Sequence, residues 1–532
     1  MWYHEKTVPI NNAFRRKANE MPYTTIEPPI QTPGLRVING QLPVLNTRSG
    51  CSNSRPMFGS PEVAAYGAVG LDLDVSDTPT ALPVYNAIHS SKSGDGNRDV
   101  YHVSSSRPLA LIGHLAHHQV DDYHLWIAVD DGKLIIADEI DHEFMQAYAE
   151  GCSPIEASQR VESSRNLDHN TAWPATIKFL GRLAAAGFVQ GIRGYHSVKK
   201  IRPHAFARFH LTHRCQLECV HCYTNSSPRL PRDGELPVER WVRLVDEFID
   251  NEGQKILFTG GEALVYQGCT DVMKRAHDGG LEVTLFSNGI LVPRYLEQLK
   301  DYADIVQISV DGPDAETHDA VRGHGSFEKA MRAIHMLLDA EITTRVSTTI
   351  MMNNWPAIRR GLPGFIAEFE NTNLSFRISY GAMSHGRGTN LDHSLNTDDV
   401  RSFVDALLSK VKTTENRAEG ANAVQKISGC GYAEQLVIGP DGFVYPCHLM
   451  SGALGHVDDL PVKDITRYLV RTAEAFSVDH RMGCSTCDLR HLCGGTCRVE
   501  DEKQTGSRLV TTCTPEEKVR KKRFLVNRYR PG

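Results

Sequence analysis

This 532-residue chain has no apolar run near the roughly 18 residues that a membrane-spanning helix needs, so no membrane segment is expected. It has no surplus of positive charge. Its 58 Lys and Arg against 64 Asp and Glu leave a formal charge of −6, which argues against a general nucleic-acid binder. Its opening residues, Met1-Trp2-Tyr3-His4-Glu5-Lys6, include neither an apolar core nor a small-residue cleavage site. No signal peptide is therefore expected, and the cytoplasm is the expected compartment. No internal repeat is evident. At roughly 150 residues per domain, the length predicts about three or four domains. Against these absences stand 13 cysteines. In a reducing compartment they are better candidates for metal or cluster ligands than for disulfides.

Ten of the 13 cysteines fall into two groups. Cys215, Cys219 and Cys222 form C-x3-C-x2-C within HRCQLECVHCYTN, and Cys430, Cys447, Cys484, Cys487, Cys493, Cys497 and Cys513 form an array near the C-terminus. Cys51, Cys152 and Cys269 stand alone and read as packed or surface thiols. Iron–sulfur clusters normally take four cysteines, so a triplet suits a [4Fe–4S] cluster with one iron open to a substrate or cofactor. A zinc site completed by His213 or His221 is the competing reading.

The sequence after the triplet alternates between strand and helix patterns. Residues 205–212, 255–258, 283–286, 305–310, 344–350 and 375–380 read as strands. Residues 236–250 carry Trp241, Leu244, Val245, Phe248 and Ile249 at helical spacing, with Gly253 as a cap. Strands alternating with helices predict parallel βα units, whose chemistry collects at the strands' C-terminal ends. Gly260-Gly261-Glu262, Ser287-Asn288-Gly289 and Ser309-Val310-Asp311-Gly312 fall at such ends.

On these motifs, residues 205–395 resemble a radical S-adenosylmethionine (SAM) enzyme, which implies an open, partial (β/α)6 barrel. By resemblance, Cys215, Cys219 and Cys222 hold a [4Fe–4S] cluster whose open iron binds the amino and carboxylate groups of SAM. Glu262 and the carbonyls near Gly260 and Gly261 would accept the SAM ammonium, the glycines letting the backbone pass close to the ligand. Ser287, Asn288, Ser309 and Asp311 would hydrogen-bond the ribose and methionyl carboxylate, His221 would sit near adenine, and Arg322 would pair with a carboxylate. The plainer alternatives are a turn at the glycines, capping by Ser and Asn, and a structural ion pair at Arg322.

The second array resembles the seven-cysteine SPASM pattern of peptide and protein maturases, over residues 429–514. The resemblance implies two auxiliary [4Fe–4S] clusters, one on Cys484, Cys487, Cys493 and Cys513 and one on Cys430, Cys447 and Cys497. The second lacks a fourth cysteine, so it either keeps an open iron or draws a ligand from elsewhere, such as Cys269. Pro440-Asp441-Gly442 reads as the turn of a hairpin ending at Cys447. His448 stands where sulfatase-maturing relatives place an Asp, which counts against formylglycine formation. Asp441, His448 and Tyr432 are candidate bases only by proximity in sequence. Residues 396–428 read as a bridging helix or linker.

Residues 1–115 read as irregular, being rich in Pro, Ser, Asn and Gly. Residues 123–129 and 133–137 read as strands joined by Asp130-Asp131-Gly132, followed by three helices, the second opened by Ser153-Pro154-Ile155-Glu156. Residues 116–198 thus resemble the winged-helix-like recognition element of ribosomal-peptide maturation systems, similar to the chaperone of pyrroloquinoline quinone synthesis. The resemblance implies leader binding at a strand edge. His114, His117, His118 and His124 read as a solvated turn, with a metal site on a helix face as the alternative. The basic tail, residues 515–532, reads as a solvated helix, or as a steering surface for an acidic leader.

Together these imply an α/β enzyme that modifies a ribosomally made precursor peptide by 5′-deoxyadenosyl-radical hydrogen abstraction, ending in an intramolecular crosslink. A flavodoxin- or ferredoxin-type donor would supply electrons. The alternatives are epimerisation, formylglycine formation, small-molecule dehydrogenation, or a non-enzymatic iron–sulfur scaffold.

Overall fold

The computed structural model describes residues 72–76, 88–92, 99–191, 197–198, 202–370, 372–408 and 425–530. Cys51 and the expected irregularity of 1–71 lie outside the described residues. Part of the stretch expected to be irregular is sheet: β1 (Asp72–Ser76), β2 (Ile88–Lys92) and β3 (Asp99–Ser104) pair in the order β1-β3-β2. Their sequences, DLDVS, IHSSK and DVYHVS, contain too few apolar residues for periodicity to reveal.

An antiparallel sheet follows, made of β4 (Leu115–Val120), β5 (Tyr123–Ala128) and β6 (Lys133–Ala137). Gly132, at φ +63°, makes the expected turn between β5 and β6. Three helices come next: α1 (Glu139–Ala149), α2 (Pro154–Arg165) and α3 (His169–Ala185). Asp138, Ser153 and Asp168 cap their N-termini, and Ser153 and Glu156 form a reciprocal capping box. One sheet face, carrying Trp126 and Ile135, packs with Phe144, Tyr148, Phe179 and Leu183 of these helices. The other face, Leu125, Ile127, Leu134 and Ile136, packs against Leu489, Leu492, Leu525 and Val526.

β4 corrects the reading of the histidines. His117 and His118 lie on a strand, not on a helix or a solvated turn, so their side chains go to opposite faces. His118 bonds Asp488, while His117 joins the buried His124. The segment Leu115–Val120 has its strand alternation masked by histidines that stand in for apolar residues.

β7 (Ser197–Val198) precedes the barrel. The barrel's six strands are β8 (Phe206–His210), β9 (Lys255–Thr259), β10 (Glu282–Ser287), β11 (Ile305–Ser309), β12 (Thr343–Ile350) and β13 (Leu374–Tyr380), all parallel as expected. Outside them lie α4 (Val238–Asp250), α5 (Cys269–Asp278), α6 (Val292–Tyr302), α7 (Ala315–Arg322), α8 (Ser326–Asp339) and α9 (Trp355–Ala367). Phe209 of β8 meets Trp241 of α4 with ring centroids 4.9 Å apart, inside a core that includes Phe248, Ile256 and Phe258. At the end of α4, Glu252 takes the left-handed conformation, at φ +63°, and the Gly253 N–H bonds Phe248 O at 2.9 Å.

After α10 (Thr397–Leu408), β14 (Gln425–Lys426) pairs with β7. The expected hairpin forms as β15 (Leu436–Ile438) and β16 (Phe443–Tyr445). It is not a separate sheet: β15 pairs in parallel with β8, and β17 (Gly455–His456) completes a nine-stranded order β13-β12-β11-β10-β9-β8-β15-β16-β17. The chain closes with α11 (Val462–Ala475), α12 (Arg490–Cys493), α13 (Arg498–Thr505) and α14 (Pro515–Tyr529). The basic tail is therefore docked rather than free, since Leu525 and Val526 of α14 are buried on the β4–β6 sheet.

Trp241 is 0% exposed at the centre of the barrel core. Trp241→Ala is expected to destabilise the barrel by about 3–5 kcal/mol, read as a lowered midpoint in urea unfolding.

Candidate functional site

The cysteine triplet lies on the loop that leaves β8, and the backbone of the Gly-Gly-Glu turn holds that loop. Gly261 N–H donates to Thr212 O at 2.8 Å, and Glu262 N–H donates to Arg214 O at 2.9 Å. A Cβ on Gly260 would meet Thr212 O at 2.3 Å, and one on Gly261 would meet Arg214 O at 2.4 Å. The two glycines thus make room for the chain entering the cysteine loop. The close neighbours of both glycines within the protein are backbone atoms of residues 212–214.

Glu262 is buried at the centre of a hydrogen-bond network. Its Oε1 accepts from Ser287 Oγ at 3.0 Å and Leu264 N–H at 3.3 Å, and its Oε2 accepts from Asn288 N–H at 2.7 Å. Burial pushes its carboxyl up to about 7, while these donors pull the other way. Asn288 Nδ2 reaches Gln216 Oε1 at 3.1 Å and Cys215 Sγ at 3.6 Å, tying this network to the first cysteine.

The structure brings Asp311, Arg322 and His221 together on the other side of the triplet. Arg322 Nε donates to Asp311 Oδ2 at 2.6 Å, and Arg322 Nη1 lies 3.9 Å from Cys219 Sγ. Asp311 is fully buried and also accepts Thr349 N–H at 2.8 Å, with His221 Nε2 at 3.5 Å. Despite its burial, the Arg322 guanidinium and the His221 imidazole hold the Asp311 carboxyl below its usual range. The plainer expectation for Arg322, a structural ion pair, is the arrangement present. Ser309 lies at the end of β11, in register with Ser347 of β12.

Cys215 and Cys219 are buried, and Cys222 is partly so. Burial pushes the Cys215 thiol up to about 12 and raises Cys219, and in each case neighbouring thiols of the triplet add to the shift. Three buried side-chain nitrogens nearby, His221 Nδ1, His213 Nδ1 and Gln216 Nε2, have no hydrogen-bond partner. Sequence reasoning missed Arg387, whose Nε donates to Cys219 O and whose Nη2 donates to Ser226 O, each at 2.8 Å. No motif surrounds it, and only the folded path brings it to the loop.

In the C-terminal array, neighbouring charges divide the thiols into two neighbourhoods. Cys430 and Cys497 act on Cys447, whereas Cys493 acts on both Cys487 and Cys513. Cys484 is held by Arg481, whose Nη1 lies 3.8 Å from its Sγ. Cys269 is in neither group. It is buried in the barrel core with Met273 Sδ at 3.8 Å, which removes it as the missing fourth ligand. Asp441 caps its own turn, accepting Phe443 N–H at 3.3 Å, and the Tyr432 hydroxyl accepts from Arg508. Burial pushes the Tyr432 hydroxyl up to about 12 and His448 down to about 4, so neither of these two is matched to neutral pH.

With this geometry in view, the description "Radical SAM superfamily" matches residues 209–356. Among curated relatives, the mycofactocin maturase MftC of Mycolicibacterium smegmatis is 30% identical over 307 residues, covering 54% of this chain and 76% of that protein. An AdoMet-dependent heme synthase of Nitratidesulfovibrio vulgaris is 27% identical over 335 residues, covering 56% of this chain and 89% of that protein. The antilisterial bacteriocin subtilosin biosynthesis protein AlbA of Bacillus subtilis is 30% identical over 257 residues, covering 46% of this chain and 54% of that protein. The chain belongs to the radical SAM superfamily. It is an enzyme of radical chemistry that works with SAM and a [4Fe–4S] cluster.

The C-terminal lobe depends on one fully buried ion pair. Arg481 and Asp501 are each 0% exposed, and Asp501 also accepts Thr512 N–H at 3.0 Å and Thr496 Oγ1 at 2.7 Å. Asp501→Ala leaves the guanidinium buried without its carboxylate and is expected to cost about 3–5 kcal/mol. Denaturant unfolding, with iron content measured in parallel, checks this.

Proposed function

We propose that this enzyme matures a ribosomally made peptide, with Cys215, Cys219 and Cys222 holding the SAM-binding cluster. The observation that carries the site assignment is the continuous link from the Cys215 thiol through Asn288 to the buried Glu262 carboxylate. The residues fit the cofactors: three buried or partly buried thiols supply the ligands, and buried nitrogens of His221, His213 and Gln216 in the same loop have no hydrogen-bond partner. When bound, the reduced cluster with SAM supplies a reductive cleavage of SAM that ends in hydrogen-atom removal from the substrate.

Within this reading, the residues of this chain position and select. Glu262 accepts hydrogen bonds from the SAM amino group, and Ser287 and Asn288 hold the Glu262 carboxylate in place. The Asp311–Arg322 pair fixes the loop around Cys219 and orients His221. The seven C-terminal cysteines hold two auxiliary clusters, with Cys430, Cys447 and Cys497 leaving one coordination position for another ligand.

The peptide assignment is supported by the names of the relatives, one a maturase and one a bacteriocin biosynthesis protein. It is also supported by the sheet and three helices that precede the barrel. Among the described residues β4 pairs only with β5, so its outer edge can take an added strand from a leader peptide. An intramolecular crosslink is the product we favour, with a flavodoxin- or ferredoxin-type protein as electron donor. The heme synthase relative supports a second reading, a small-molecule substrate.

Incubation of the reconstituted enzyme with candidate precursor peptides tests the peptide reading. A crosslink appears as loss of two hydrogen atoms by mass spectrometry, with a linkage between residues in the fragment spectrum. Turnover of a tetrapyrrole with no peptide modified would favour the second reading. Glu262→Gln is expected to weaken SAM binding about tenfold, or about 1.4 kcal/mol, with iron content unchanged. Because burial raises Glu262 to about 7, its ionised form, the better acceptor for the SAM amino group, is lost as pH falls through that value. Wild-type affinity for SAM is therefore expected to decline from about pH 8 to about pH 6, a dependence that Glu262→Gln removes. Equilibrium dialysis across that range reads both effects.

A further inference from the structure

Three imidazoles between β4, β5 and α1 take no part in the chemistry described above. One ring nitrogen from each of His117, His124 and His142 lies within 4.8 Å of the other two. His117 and His124 are on adjacent antiparallel strands, facing the same side, and His142 comes from the helix that covers that side. His117 Nε2 and His124 Nδ1 are 3.0 Å apart, and the His124 and His142 rings stack with centroids 3.7 Å apart. The group is enclosed, with His124 5% and His142 9% exposed.

The surroundings orient the rings. His124 Nε2 lies 3.2 Å from Glu139 Oε1, so its N–H is directed to the carboxylate and its Nδ1 lone pair is turned towards His117. A carboxylate behind an imidazole is the arrangement that fixes the tautomer of a metal-bound histidine. The 3.0 Å between His117 Nε2 and His124 Nδ1 is near the about 3.3 Å that separates two ligands of a tetrahedral zinc with bonds of about 2.0–2.1 Å. His142 Nδ1 now accepts from Trp126 Nε1–H at 3.1 Å. Its use as a ligand would exchange that hydrogen bond for the metal and turn the ring out of its stack.

We propose that His117, His124 and His142 form a binding site for a zinc-class divalent cation, with Glu139 orienting His124. Such a cation ties the edge strand β4 to β5 and α1, and so fixes the register of the strand whose outer edge is open. The site is remote in sequence from every cysteine of the two arrays and stands independently of the peptide reading.

The test uses the full chain, first reconstituted anaerobically with iron and sulfide so that the cysteines are occupied. It is then equilibrated with zinc sulfate and passed over a chelating resin. Wild type is expected to retain about one zinc per chain more than His117→Asn or His142→Asn, and zinc-edge X-ray absorption should show nitrogen and oxygen at about 2.0–2.1 Å with no sulfur near about 2.3 Å. His117 is only partly buried on an edge strand, so its variant tests the site even if the buried His142 variant fails to fold. His118→Asn, on the opposite face of β4 beside Asp488, should retain zinc like wild type. Glu139→Gln should weaken retention about tenfold. Equal zinc in wild type and His117→Asn, or a sulfur shell around the retained zinc, would overturn the proposal.

Discussion

The geometry of the candidate site depends on one close approach of backbone to backbone. The turn after β9 runs against the segment after β8, with Gly261 and Glu262 donating to Thr212 and Arg214. Any side chain at Gly260 or Gly261 would occupy the space of those carbonyls. This contact sets where the cysteine loop begins and where the Glu262 carboxylate points. Ser287 and Asn288, at the end of the neighbouring strand, then meet Glu262 from β10. The protein's own hydrogen bonds thereby fix three strand ends and one loop relative to one another.

The second cysteine array is attached to that framework by the same kind of force. β15 adds to the outer side of β8 in parallel register, with Val437 opposite Arg208. The hairpin that leads to Cys447 is thus an extension of the barrel sheet, and its position follows from that of the first cysteine loop. Farther along, the enclosed Arg481–Asp501 pair joins the segments around Cys484, Cys497 and Cys513, with Thr496 and Thr512 completing the carboxylate's hydrogen bonds. The N-terminal sheet is held between its own helices and the apolar side of α14.

Much of this architecture was legible in the sequence, and the misses share a cause. The six barrel strands were visible as short segments alternating with helical stretches, three of them ending in polar motifs, and the cysteine groups were visible from spacing alone. What stayed hidden depends on pairing between distant segments. Nothing local to Leu436–Ile438 indicates that it joins β8, and nothing near Arg387 announces its bonds to the cysteine loop. The alternation of β4 was masked because His117 occupies an inward-facing position where an apolar residue would be expected. The spacing around Gly260 and Gly261 pointed to a place where side chains are not tolerated, but not to the backbone of residues 212–214 that runs against them. Asp311 and Arg322 were both picked from strand-end and helix motifs, yet their engagement with each other could be seen only in three dimensions.

The central claim is that Cys215, Cys219 and Cys222 hold the cluster that cleaves SAM beside Glu262. The most direct measurement is 5′-deoxyadenosine release by anaerobically reconstituted protein given SAM, a strong reductant and candidate peptides, compared with the variant in which all three cysteines are alanine. The account predicts release by wild type, none by the triple variant, and about four fewer iron atoms per chain in that variant, the content of one [4Fe–4S] cluster. Equal release from both proteins, or unchanged iron content in the variant, would contradict it.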